Sequence, residues 1–207
     1  MSNKDGRQQI SAIILAAGTS SRMGQPKQLL FLQGRPLLEH AIERAISQGF
    51  AEIITVVGCE AAKIKQSILV SDPRFRWVMN EEYEKGQGVS LKTGMVSVNQ
   101  QSSGVMVFLG DLPFLAEQTV QSIFHAGMEM LTDCKESFVI QPEYNGITGH
   151  PVFFGHLDRS FIERLQGDRG GKAMMNKIAC RRRFPVDDRG IIYDIDTPEI
   201  YEEAKKL

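Results

Sequence analysis

Ser11-Ala12-Ile13-Ile14-Leu15-Ala16-Ala17-Gly18-Thr19-Ser20-Ser21-Arg22-Met23-Gly24-Gln25-Pro26-Lys27 reads in two parts. Ser11 to Ala16 is an apolar run, the mark of a strand buried on both faces. The residues after Ala16 are mostly small, polar and turn-forming. An open α/β sheet has its ligand crevice there, beyond the carboxyl end of a strand. Small residues let the backbone approach a ligand and offer N–H groups to phosphate oxygens. Arg22 adds a planar fork for phosphate and Lys27 a mobile point charge. The loop lacks G-x-G-x-x-G and Gly-Lys-Ser/Thr, so it is neither a dinucleotide fingerprint nor a Walker loop. Glycines and cations alone also fit a plain strand-to-helix connection with two solvated charges.

Outward from this stretch, the apolar period alternates. Pro36 to Gln48 puts Leu37, Leu38, Ala41, Ile42, Ala45 and Ile46 on one helical face, and Gly49 ends it. Glu52 to Val57 reads as a strand, Ala61 to Val70 as a helix and Phe75 to Met79 as a strand. Val89 to Val98 is a helix, Val105 to Leu109 a strand and Glu117 to Leu131 a helix. This alternation predicts an α/β fold: three layers, Rossmann-like, with a mostly parallel central sheet and right-handed crossovers. The later chain is less regular. Ser137 to Gln141 and Pro151 to Phe154 read as strands, and Leu157 to Leu165 and Lys172 to Ile178 as helices. Ile191 to Ile195 reads as a late strand. Pro198 to Lys206 reads as a closing helix, capped by Thr197. The triplet Arg181 to Arg183 reads as a solvated edge.

The 207 residues favour one domain over the whole chain, with an internal division near residues 10–115 and 116–207. A formal net charge of −1 argues against a general nucleic-acid binder, which needs a basic excess. No apolar run approaches a membrane span, and the polar start does not suggest a secretory signal. Three dispersed cysteines form no metal cluster and suggest a reducing compartment, so a cytoplasmic protein is expected.

Leu109-Gly110-Asp111-Leu112-Pro113 closes the fourth strand of the first half, aiming a carboxylate at the same crevice. Mg²⁺ on a triphosphate is usually held by one or two carboxylates with substrate oxygens and water. Asp111 suits that role; the bland alternative is a turn or capping aspartate. Asp194 and Asp196 have a spacing of two, which puts both on one face of a strand. Either could instead cap the last helix.

Leu15, Gly18, Arg22, Met23, Gly24 and Lys27 together resemble the signature of the molybdenum cofactor nucleotidyltransferase-like superfamily. The resemblance implies a nucleotidyltransferase fold whose loop wraps a triphosphate. Arg22 and Lys27 would meet the phosphates and the transition-state charge. The backbone of Leu15, Ala16, Ala17 and Gly18 would lie beside the base. It also implies Mg²⁺ on Asp111, with a second ligand in Asp194-Ile195-Asp196-Thr197-Pro198-Glu199; Asp196 is favoured and Asp194 is the near alternative.

Four segments resemble the cytidylyltransferase branch and the related purine-catabolism proteins that mature xanthine dehydrogenase. Asn80, Gly86, Gly88 and Ser90 match the loop lining that branch's base pocket. Leu15-Ala16-Ala17-Gly18 is the alanine version of the loop, nearer the cytidine enzymes than the guanosine ones. Gly149-His150-Pro151-Val152 and Gly167-Asp168-Arg169-Gly170-Gly171-Lys172 match its acceptor side. The chain departs from the branch at Thr148, where an arginine is common, and at Gly171-Lys172, where Ala-Arg is common. His150, Arg169 and Lys172 are the acceptor candidates. His150 remains open between an acceptor phosphate, the pterin and a role in orienting its own loop.

The resemblance implies CMP transfer from CTP to the phosphate of molybdopterin or molybdenum cofactor, with pyrophosphate released. The partner implied is an apo-molybdenum hydroxylase such as xanthine dehydrogenase. Another NTP, or a sugar or alcohol phosphate acceptor, is the first alternative. A cofactor carrier or chaperone without catalysis is the second.

Overall fold

A computed structural model describes residues 9–158, 162–163, 165 and 170–207. Seven strands lie side by side: β10 (Cys180–Pro185), β7 (Phe138–Tyr144), β9 (Val152–Gly155), β6 (Ser102–Leu109), β1 (Gln9–Ala16), β4 (Glu52–Val57) and β5 (Phe75–Met79). Short β8 (Ile147–Thr148) pairs with β7 off this path, and β2 (Phe31–Leu32) pairs with β3 (Arg35–Pro36) apart from the sheet. β1 runs parallel to both β4 and β6, with Ile13 level with Ile54 and Val107. β9 is antiparallel to β6 and β7, whereas β10 is parallel to β7. The sheet is therefore mostly parallel, as the alternating period predicts.

The alternation of β1 distributes its side chains between two layers. Ile10, Ala12 and Ile14 face a cluster shared with α1 (Leu37–Ile46), α2 (Ala61–Ser67) and α4 (Glu117–Asp133). Ile13 faces the other cluster, with Leu91 and Met95 of α3 (Gln87–Ser97) and Met174 of α5 (Gly170–Lys177). Burial on both faces explains why β1 and β4 carry so few polar residues. Among the described residues no helix is long and apolar enough to cross a membrane.

The structure corrects two expectations, one in the late chain and one in the first half. Ile191 to Ile195 is not a strand: Arg189–Ile192 forms a 3₁₀ turn, and the chain runs irregularly to α6 (Pro198–Ala204). Ile191 and Ile195 are buried by packing, which imitates strand alternation. Arg181 to Arg183, read as a solvated edge, is exposed on the edge strand β10, as expected. Charged side chains are a common way to protect such an edge. The helix expected over Ala61 to Val70 ends at Ser67. Of the helix expected over Leu157 to Leu165, residues 159–161 and 164 lie outside the described residues.

The irregular tail is held by polar contacts and close approach. Asp188 accepts from the N–H groups of Gly190 (2.8 Å) and Ala116 (3.0 Å) and from the Thr119 hydroxyl (2.7 Å). It thus caps its own turn and the start of α4. A Cβ on Gly190 would lie 2.2 Å from the Phe114 carbonyl oxygen, so only glycine permits this approach. The His150 N–H donates to the Ile191 carbonyl at 3.1 Å, fastening the turn to the loop before β9. Thr197 caps α6 by accepting from the Ile200 N–H at 3.4 Å, as its sequence position predicts.

Candidate active site

The loop after β1 folds on itself. Ser20 adopts a left-handed backbone with φ of 53°, and its carbonyl accepts the Met23 N–H at 2.9 Å. The Ser20 hydroxyl accepts from the Lys27 N–H at 3.1 Å. Gln28 is buried beneath the loop and donates to the Ala16 and Gly18 carbonyls at 2.9 and 3.2 Å. These bonds fix the backbone that separates β1 from Lys27.

Lys27 points into the crevice. Its Nζ donates to Asp111 Oδ2 and to Asp196 Oδ1, each at 2.5 Å. Burial draws the Lys27 pKa down, but the Asp111 and Asp196 carboxylates outweigh it and hold the ammonium above its ordinary value. Arg22 Nη2 donates to Asp196 Oδ2 at 2.8 Å from the rim, where its side chain is 66% exposed. Burial pushes the Asp196 carboxyl up, yet Lys27 and Arg22 together leave it below the usual carboxylate range. Asp194 goes the other way. Burial raises it, its own backbone N–H opposes that, and the neighbouring Asp196 and Asp111 carboxylates raise it further.

The two acidic segments meet through the backbone. Gly110 N–H donates to the Leu15 carbonyl at 3.0 Å, setting Asp111 beside the loop. Ile195 N–H donates to the Asp111 carbonyl at 3.1 Å, setting Asp194 and Asp196 on either side of that bond. The shared position of both aspartates thus comes from this one bond and not from strand alternation.

These groups border a cleft of about 480 Å³. Leu15, Ala16, Ala17, Gly18, Gly86, Ser90, Lys27, Asp111, Asp194 and Asp196 all line it. Asn80 stands behind it, buried, donating to the Ser90 hydroxyl at 2.9 Å and accepting the Glu82 N–H at 3.0 Å. Gly88, His150 and Lys172 line an adjoining recess of about 280 Å³, which shares Leu15 and Gln87 with the cleft. Arg169 and Asp168 lie outside the described residues. Thr19, Gln28, Tyr83, Glu84 and Gln87 also line the cleft, and sequence reasoning misses them. Gln28 has one available signal, a polar residue directly after the motif's last lysine. Tyr83 and Gln87 sit within the glycine loop but carry no distinctive spacing.

One observation bears on a divalent cation. Asp111 Oδ1 is buried and accepts no hydrogen bond among the described residues, while Oδ2 is taken by Lys27. A buried carboxylate oxygen without a partner is costly, and a cation would satisfy it. Among the described residues no three His, Cys, Asp or Glu side chains converge as a metal cage. One or two carboxylates completed by substrate oxygens is the usual arrangement for Mg²⁺.

Comparison with known proteins gives the family and agrees with the fold. A family model described as the MobA-like NTP transferase domain matches residues 12–182. The chain is similar to the purine catabolism protein PucB of Bacillus subtilis (strain 168), at 26% identity over 94% of this chain and 95% of that one. It is similar to the molybdenum cofactor cytidylyltransferase of Escherichia coli (strain K12), at 27% identity over 95% and 96%. Among solved structures, Rv0371c from Mycobacterium tuberculosis H37Rv superposes with a TM-score of 0.82 at 26% identity, over 97% and 98% of the two chains. That protein has also been solved as a complex with manganese, which superposes with a TM-score of 0.78 at 24% identity, over 97% and 99%.

Proposed function

The chain belongs to the MobA-like NTP transferase domain family, a family of nucleotidyltransferases, and on that footing we propose that it transfers CMP from CTP to the phosphate of molybdopterin or molybdenum cofactor. The observation that carries this reading is Lys27 bridging Asp111 and Asp196 at the floor of a cleft walled by Leu15 to Gly18. The residues within about 10–115 supply the nucleotide side, and those within about 116–207 supply the acceptor side and one acidic segment. The product serves a molybdenum hydroxylase such as xanthine dehydrogenase. The setting is cytoplasmic, in keeping with three free cysteines.

An acceptor phosphate oxygen attacks the α-phosphorus of CTP in line. A new P–O bond joins CMP to the acceptor, and the bond to the bridging oxygen of pyrophosphate breaks. No side-chain nucleophile is needed; the work is positioning and charge stabilisation. Loop N–H groups and Arg22 bind the phosphates. Lys27 is kept protonated by its two carboxylates and meets the charge that develops on the transferring group. Asp111 and Asp196 would hold the cation, with Asp194 beside them. A bound Mg²⁺ would neutralise triphosphate oxygens and polarise the α-phosphoryl group. Ser90, oriented by Asn80, and the Ala17–Gly18 backbone border the space for the base. The alanine pair and the likeness to the E. coli enzyme support cytosine.

The test is pyrophosphate release from CTP, GTP or ATP, with and without molybdopterin, in Mg²⁺ or Mn²⁺. The expected result is release from CTP only when the pterin is present. A preference for GTP overturns the base assignment. Turnover of sugar phosphates without pterin overturns the acceptor, and no turnover with any nucleotide overturns the reading itself.

A further inference from the structure

The recess beyond Leu15 and Gln87 differs chemically from the cleft. Leu91, Val107, Val152, Phe154 and Met175 form most of its wall. Its volume, about 280 Å³, is at the small end for ligand sites, suited to a ring system. Its side-chain hydrogen-bonding groups among the described residues come from Gln87, His150 and Lys172. Lys172 is exposed at the mouth, whereas His150 is set among the apolar residues.

The proton on His150 can be placed. Its Nδ1 lies 3.3 Å from the Val107 carbonyl oxygen. A carbonyl only accepts, so Nδ1 carries the hydrogen. Burial lowers the ring's pKa by more than the Val107 carbonyl and the Asp111 carboxylate raise it, so the imidazole is neutral near pH 7. A neutral ring protonated at Nδ1 has a bare lone pair at Nε2. Among the described residues no group donates to Nε2. Such an atom faces a phosphate as one acceptor against another, but it receives an N–H well.

We propose that the recess takes an uncharged flat ring of the acceptor that bears an N–H donor, and that His150 Nε2 accepts that N–H. His150 is then a specificity-determining residue that reads the ring, while the acceptor phosphate goes to the cleft that holds Lys27. This rests on the reading of the chain as a nucleotidyltransferase whose acceptor carries both a ring and a phosphate. It separates the roles left open for His150: the Nδ1 side orients the loop and the Nε2 side reads the ligand.

Two experiments test it. Long-range ¹H–¹⁵N NMR of the histidine rings should find His150 neutral with Nδ1 protonated. Adding 6-methylpterin should shift Nε2, and adding inorganic phosphate should not. An imidazolium, an Nε2–H tautomer, or a response to phosphate alone overturns the proposal. In the transfer assay, His150→Asn keeps a group near Nδ1 but loses the Nε2 acceptor, whereas His150→Gln reaches the Nε2 position. The acceptor KM should rise about tenfold in His150→Asn, the scale of one lost hydrogen bond, and recover in large part in His150→Gln. The KM for CTP should stay within about twofold, which places the ring on the acceptor and not on the nucleotide. Equal losses in both variants, or a rise in the CTP KM instead, overturn the proposal. Wild-type pyrophosphate release from CTP reports separately on the proposed function.

Discussion

Asp111 and Asp196 meet on the same ammonium but arrive by different routes. Asp111 is delivered by β6, a buried strand locked between β1, to which it is parallel, and β9, to which it is antiparallel. Its position follows from the sheet register, which many side chains enforce at once. Asp196 is delivered by a tail without strand or helix. That tail depends on Asp188, on the contact at Gly190 and on the backbone bond from Ile195 to Asp111. A site half built on a rigid element and half on a tethered segment should fail in two ways: chemistry is lost at the first half, placement at the second.

The largest expected effect is on chemistry. Asp111→Asn keeps the shape of the side chain and removes its charge. Lys27 retains Asp196, and β6 keeps its packing, so thermal stability should change little. Transfer should fall about a thousandfold, a cost of about 4 kcal/mol. Steady-state pyrophosphate release and a melting curve on the same sample check both halves. A variant that melts early would show that Asp111 is a structural residue and that the two routes do not differ as described.

Gly190→Ala attacks the tail. The new Cβ would stand 2.2 Å from the Phe114 carbonyl oxygen, so backbone must move. The expected destabilisation is about 3 kcal/mol, or roughly 6–10 °C in melting temperature. Because that turn leads directly into Asp194 and Asp196, Lys27 and Arg22 lose their shared partner Asp196 when it shifts. Transfer should fall at temperatures where the chain remains folded. Normal turnover below the melting transition would mean that the tail's placement is irrelevant to the site.

Asp188→Ala is a milder cut at the same tether. It leaves the Ala116 and Gly190 N–H groups and the Thr119 hydroxyl without their acceptor. About 2 kcal/mol of stability should be lost, read from urea unfolding. Asp188→Asn keeps an acceptor oxygen and should recover part of it. If both variants equal the wild type, the tail is held by Ile191 and Ile195 packing alone.

The same contrast explains what the sequence discloses. β4 is legible to the residue, because a buried parallel strand repeats one physical demand at every position; β5, half-buried at the sheet edge, is legible from its run of large apolar residues. The Arg22, Lys27 and Asp111 cluster is legible because loop and strand end occupy one crevice in any sheet of this kind. The tail is not. Ile191-Ile192-Tyr193-Asp194-Ile195 is a short, mostly apolar run, and five residues cannot separate a strand from a packed irregular segment. The spacing of Asp194 and Asp196 suggests a shared strand face, which the structure replaces with a single backbone bond from residue 195. The glycine-loop pattern suggests Asn80 as a base-pocket residue, but it sits behind Ser90, a placement that depends on contacts across the loop. The support from Gln28 is also invisible, since nothing local reveals that its amide turns under the loop.

The smallest effect lies in the regular half and tests whether that half is uniformly robust. His40 of α1 is buried, and its Nε2 contacts the Leu32 carbonyl at 3.0 Å, tying the helix to the small hairpin. Burial lowers its pKa below 6.5, the Leu32 carbonyl opposes this in part, and Arg35 and Arg44 add to the lowering. A proton is therefore bound more readily by the unfolded chain. The contribution to stability is complete above the unfolded value and is lost as pH falls through the folded one. His150 shifts in the same direction, so some acid sensitivity belongs to the other half. Glutamine at position 40 can keep a donor to Leu32 and does not titrate. Urea unfolding at about pH 7.5 and about pH 5.5 should show a smaller loss in His40→Gln than in the wild type. Equal losses would leave the acid sensitivity to the later half, and the β1–β6 half would then be insensitive to protonation at its buried histidine.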